Sequence, residues 1–130
     1  MEFALMANAV LRSAYLGEAD MSGAQLDRAV LAGADLRKAN LRGAGLRGAQ
    51  LDAADLRYAR LGSAFLAGAS LRGADLRGAY LRSAKLDGAD LSDVNLEGAE
   101  GITQAQLDRA HLNLGTKLRE GFAGVEDAER

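Results

Sequence analysis

Three constellations in this sequence are of the kinds that carry chemistry. Asp35, Asp55 and Asp75 recur every 20 residues, a spacing that could stack carboxylates around a cation or set up acid–base work. Each has an arginine two places on (Arg37, Arg57 and Arg77), and a neighbouring guanidinium holds a carboxylate ionised and paired. Gly43-Ala44-Gly45-Leu46-Arg47-Gly48 spells G-x-G-x-x-G, which cradles a pyrophosphate only between a strand and a helix. His111 is the single histidine. It stands beside Leu112 with no carboxylate or hydroxyl at an interpretable spacing. None of the three assembles a catalytic set, so no enzyme activity, cofactor or metal is expected.

Composition narrows the field in the same direction. The chain has 130 residues, a length of about one domain, with 16 basic and 18 acidic side chains and a net charge of −2. It contains no cysteine, so disulfides, thiolate metal sites and thiol nucleophiles are excluded. The near-neutral balance gives no bulk electrostatic reason to bind nucleic acid or an acidic membrane. No apolar run approaches the ~18 residues that span a bilayer, and residues 1–10 lack a signal peptide's basic and apolar regions. A cytoplasmic location is the expectation. Proline and tryptophan are absent, and Phe and Tyr number three each, yet 48% of the chain is hydrophobic. A narrow, repetitive core of alanine and leucine must replace the usual aromatic one.

The repeat that supplies this core has a period of five. Alanine stands at 4, 9, 14 and onward every fifth residue to Ala89, then Val94 and Ala99. Leucine or methionine follows two places later, from Met6 to Leu96. On an α-helix, steps of five would spray the leucines around the cylinder. On a flat strand, an odd period would send alternate leucines to opposite faces. A chain that turns a corner every five residues points every leucine inward. Small residues at the fifth place, such as Gly23, Gly33 and Gly43, suit such corners. The 20-residue recurrence of the Asp–Arg pairs implies four sides per coil, with each Asp able to bridge an Arg in its own or the next coil. In this phase the G-x-G-x-x-G glycines fall on two corners and one outward position, without the helix that a dinucleotide site needs.

The sequence resembles the pentapeptide-repeat proteins, whose A-(D/N)-L-x-x motif is seen in Ala34-Asp35-Leu36, Ala39-Asn40-Leu41, Ala54-Asp55-Leu56, Ala74-Asp75-Leu76 and Ala89-Asp90-Leu91. The resemblance covers residues 4–98. It implies an all-β solenoid, a right-handed quadrilateral β-helix with four five-residue sides per coil, in which leucine is the central inward residue and alanine the second. The organisation expected is a short lead at 1–3, the solenoid at 4–101, and a helical cap or dimerisation segment at 102–130. Thr103 and Gln106 form a capping-box pattern, so a short helix is expected over 104–110. Leu114, Leu118, Phe122 and Val125 fall at helical spacing, with Thr116 as a candidate N-cap. They predict a second helix over 114–129.

The function expected is that of a non-catalytic protein-binding or scaffold module, its partner a protein that the sequence does not name. A homodimer through the C-terminal helix or an uncapped N-terminal end is a further expectation. The candidate surface is Leu5, Val10, Tyr15 and Val30, which are outward apolar residues near the N-terminal end, with Leu118 and Phe122 in the tail. The alternative follows from the resemblance: some family members look like duplex DNA to type II topoisomerases and protect gyrase from quinolones or other toxins. Duplex DNA carries one negative charge per ~1.7 Å, so a tube of ~23 Å would need roughly 13 negative charges. Residues 4–98 hold 11 acids and 12 bases, a net of +1. Summed by side of the inferred square, the charges are +1, −1, −1 and +2. Charge argues against mimicry, and against nucleic acid as a partner.

Overall fold

The computed structural model describes residues 5–119, 121 and 122. Its architecture follows from one local unit. In each unit an outward residue pairs with the neighbouring coils, a leucine or methionine points inward, two residues turn, and an alanine points inward again. The alanine N–H closes the turn on the leucine carbonyl, as in Ala39 to Leu36 at 3.0 Å. The second turn residue has positive φ at every fifth position from Asn8 to Gly98, the signature of a type II turn. Glycine occupies nine of these positions and ten carry side chains, among them Lys38, Ala53 and Tyr58. The corner is therefore imposed by the coil even where the residue would not choose it.

Parallel bridges join residues 20 apart on four successive sides: Leu5 to Gln25, Val10 to Val30, Tyr15 to Asp35 and Asp20 to Asn40. The same register runs on through Tyr80 to Glu100. Each coil is thus a four-sided turn of 20 residues. A representative rung has the Leu36 N–H donating to the Asp55 carbonyl at 2.8 Å and the Asp55 N–H donating to the Ala34 carbonyl at 2.9 Å. Leucine therefore stacks on leucine and alanine on alanine along the tube. The core runs unbroken from Met21 to Ala99, joined by Ile102 and Leu107, and no polar side chain among the described residues is buried. In the first coil Met6, Leu11 and Leu16 are only partly buried, because no earlier coil covers them among the described residues.

At the C-terminal end one side of the coil is replaced by helix α1 (Gln104–Asp108). Its capping box forms as expected: the Thr103 hydroxyl accepts from the Gln106 N–H and the Gln106 side chain accepts from the Thr103 N–H. The Gln106 amide also donates to the Leu81 and Ala84 carbonyls at 2.8 and 2.9 Å. Leu107 is fully buried against the last coil.

The second helix expected over 114–129 does not form in its described part. Residues 114 and 115 turn, and the chain pairs again as a solenoid side, with His111 bridging Asp90 and Lys117 bridging Asn95. The Thr116 hydroxyl donates to the Leu91 carbonyl at 2.7 Å instead of capping a helix. Unpaired carbonyls and N–H groups on the preceding coil supply the reason, since buried backbone groups must find partners. Leu114 is left exposed, while Leu118 and Phe122 pack partly against the core. Val125 and the rest of 123–130 lie outside the described residues.

Candidate interaction surfaces

The interior is filled, so any functional surface is one of the four outer sides or an end. The third side carries Asp35, Asp55 and Asp75. The Arg37 Nε and Nη2 reach Asp35 at 2.9 and 2.7 Å, and Arg57 and Arg77 repeat the grip on Asp55 and Asp75. Longer contacts of 3.7 and 3.8 Å join Arg37 to Asp55 and Arg57 to Asp75 in the next coil. The arginine hydrogen bond, reinforced by the Arg37 backbone N–H, lowers the Asp35 pKa to about 2. Asp55 and Asp75 are lowered by the same side-chain bond, with desolvation opposing it. These carboxylates are ionised and neutralised in place, and that removes them from acid–base chemistry.

The aspartate has a second task in each unit. The N–H two residues on belongs to the turn and has no backbone acceptor there, so Asp or Asn Oδ1 accepts it: Arg37 to Asp35, Arg42 to Asn40, Ser92 to Asp90 and Glu97 to Asn95. Where Gly45 stands in that position, Asp27 of the preceding coil accepts the Arg47 N–H at 2.9 Å instead. This accounts physically for Asp or Asn between the inward alanine and leucine.

Gly43 and Gly48 are positive-φ corners and Gly45 is a bridging residue between Gln25 and Phe65. No helix follows them, and a dinucleotide site is absent from this stretch. His111 is exposed and holds its place by backbone pairing to Asp90. Among the described residues no group of His, Cys, Asp or Glu is arranged to hold a metal ion. No helix among them is long and apolar enough to cross a membrane.

The N-terminal apolar residues occupy the rim of the first coil. Leu5, Val10 and Tyr15 are 79%, 67% and 91% exposed and bridge on three successive sides. Only Val10 and Val30 are brought together, as bridge partners in adjacent coils. Leu118 and Phe122 lie at the other end of the tube, on the core.

The fourth side carries no motif that the sequence singles out. Here Arg42 and Arg82 flank a hollow of about 550 Å³ floored by Gly43 and Gly62, with Tyr80 beside it, and Arg60 is the bridging residue between Asn40 and Tyr80 on the same side. In the sequence, Asn40, Tyr58 and Tyr80 stand two places before these arginines, where Arg37, Arg57 and Arg77 have Asp.

A five-residue unit, a four-sided coil and the Asp-to-turn bond are the features against which known proteins can be compared. The profile of pentapeptide repeats matches in 8 copies, at residues 4–43, 34–73, 59–98 and 74–113. The chain belongs to the pentapeptide-repeat family. Among solved structures it is similar to Rfr23, a pentapeptide-repeat protein of the cyanobacterium Cyanothece 51142, with 25% identity over 95% of this chain and 89% of that one, at a TM-score of 0.60. It is also similar to alr5209 of Nostoc PCC 7120, a second pentapeptide-repeat protein, with 38% identity over 84% of each chain and a TM-score of 0.52. A trypsin-treated form of QnrB1, a plasmid-mediated fluoroquinolone resistance protein, shares the fold at 20% identity over 92% of this chain and 71% of that one, with a TM-score of 0.61. No curated protein matches the sequence significantly.

Proposed function

We propose that this pentapeptide-repeat protein is a non-catalytic protein-binding or scaffold module of the cytoplasm, its coils wound right-handed as in the family. One observation carries the reading. The leucine–alanine interior is closed to ligands, while its regular packing fixes four outer sides on which every fifth residue is presented in a 20-residue register. A rigid surface of this kind favours binding because little side-chain and loop ordering remains to oppose it. A second copy is one partner within this reading, through the apolar rim at Leu5, Val10 and Tyr15 or the end that carries Leu118 and Phe122.

The test places a photoreactive benzoylphenylalanine on each side in turn, at Phe65, Gln50, Tyr58 and Tyr80, in the cells that make the protein. The expected result is a light-dependent protein adduct from one or two sides and none from the others. No adduct from any side would overturn the reading.

The second reading is action on gyrase as a DNA mimic with protection from quinolones, prompted by the coil shared with QnrB1. Charge opposes it, because Asp35, Asp55 and Asp75 are each neutralised by an arginine. Purified protein at micromolar concentration is expected to leave gyrase supercoiling and its quinolone sensitivity unchanged. Inhibition or protection would replace the first reading with the second.

A further inference from the structure

Several cations elsewhere on this tube are spoken for. Arg37, Arg57 and Arg77 bind aspartates, Arg72 binds Asp90, and the Arg47 guanidinium lies 4.4 Å above the Phe65 ring. The fourth side differs. Its units at 40–44, 60–64 and 80–84 hold Arg42, Arg60 and Arg82 and no acid. Among the described residues none of these three arginines has an ion pair or a side-chain hydrogen bond. An exposed arginine can simply be solvated, but here Arg42 and Arg82 frame a concave surface. Arg42 and Arg82 stand two coils apart, ~9.6 Å at the usual strand spacing. Between them lies the hollow of about 550 Å³, with Gly43 and Gly62 as floor, Ser63 and Ser83 as hydroxyls, and the half-exposed Tyr80 ring as wall.

From this geometry we infer that the fourth side is the docking groove for an acidic, extended segment of a partner protein, a conclusion that rests on the protein-binding reading above. The anion is required by charge: three guanidiniums without internal partners offer forked donors to carboxylates. The extended form follows from reach. Alternate residues of a strand are ~6.8 Å apart and point the same way, so two or three carboxylates span the distance from Arg42 to Arg82. Asp20 and Glu100, on the same side in the flanking coils, end the basic tract and limit its length. A single-stranded nucleic acid would draw on a longer basic track and successive stacking platforms, whereas this groove has one aromatic residue in a chain of net charge −2.

Fluorescence anisotropy tests the groove with a labelled octapeptide of alternating Glu and Gly, its Gln–Gly counterpart, and an oligothymidine of similar length. The Glu peptide is expected to bind saturably at about 50 mM salt and more weakly at about 150 mM, with no binding of the Gln peptide. Arg42→Gln with Arg82→Gln should weaken it by about tenfold, the loss of about 1.4 kcal/mol. Gly62→Leu should do the same by filling the hollow. A Cβ at Gly62 meets nothing nearer than 3.7 Å, so the melting temperature is expected to hold while binding falls. Arg12→Gln with Lys38→Gln removes the same charge elsewhere and should leave binding intact. Equal weakening by that control pair, or tighter binding of oligothymidine, would overturn the proposal. So would failure of the Glu peptide to bind. In that last case, photoadducts from other sides would leave the protein-binding reading standing, and their absence would remove both.

Discussion

Arg57 grips Asp55 of its own coil through Nε and Nη2, at 2.9 and 2.7 Å. The same Nε stands 3.8 Å from the Asp75 carboxylate one coil on. A pair that is local in sequence therefore also ties successive coils, and it raises the Arg57 pKa while lowering that of Asp55. Exposed ion pairs contribute little singly. Their consequence is a charge-neutral ladder on the third side, which removes the acidic surface that imitation of DNA would need.

Acid should loosen this ladder late. Asp35 falls from an ordinary 3.8 to about 2 in the folded chain. A depressed carboxylate contributes stability above its unfolded pKa, and that stability is lost as pH falls through the folded value. The melting temperature is expected to fall between pH 4 and pH 2. Asp35→Asn, Asp55→Asn and Asp75→Asn together should flatten that fall while keeping the fold, because Asn40 and Asn95 already make the same turn bond. An equally steep fall in the triple variant would remove these residues as its cause.

The leucine ladder should not tolerate charge. Leu56 is fully buried mid-tube, and an isolated carboxylate there has no partner and no water. Leu56→Asp is expected to abolish cooperative folding by circular dichroism, and Leu56→Ala to cost about 2–5 kcal/mol in denaturant melts. An unchanged melting temperature in the aspartate variant would contradict the inward stacking.

Corner residues should respond to glycine with opposite signs. Ala53 is held at φ +57 and Gly68 at φ +67. A Cβ in the left-handed region costs roughly 1–2 kcal/mol, less the chain entropy that glycine loses on folding. Ala53→Gly should stabilise by up to about 1 kcal/mol, and Gly68→Ala should destabilise by a similar amount. The space around Gly68 is open, so strain alone is read there. Chemical denaturation checks both signs.

Gln106 should anchor the cap. Its amide satisfies two carbonyls of the last full coil while its oxygen caps the start of α1. Gln106→Ala leaves those groups unpaired at about 1–3 kcal/mol. Faster hydrogen exchange is expected at 104–117, with the middle coils unchanged. Uniform protection would show that the cap stands without it.

The five-residue period, the inward leucines and alanines, the 20-residue coil and the Asp35–Arg37 type of pairing are all written in the order of residues. Each depends on spacing within one unit or on exact recurrence, and repetition multiplies a weak local preference into an unambiguous one. The capping box at Thr103 and Gln106 was equally legible because it closes within four residues. Residues 114–119 were not. Leu114 and Leu118 sit at helical spacing, but the open hydrogen-bonding edge of the coil beneath them decides the backbone, and it demands another bridged side. The positive φ at Lys38, Ala53 and Tyr58 likewise has no local cause; closure of a rigid coil forces it. Whether an arginine is quenched or free also depends on what the coil brings beside it. Arg72 finds Asp90 eighteen residues away, while Arg42 and Arg82 meet only a hollow. Local chemistry and repetition set the tube in sequence, and long-range pairing across its coils decided the cap and the faces it offers.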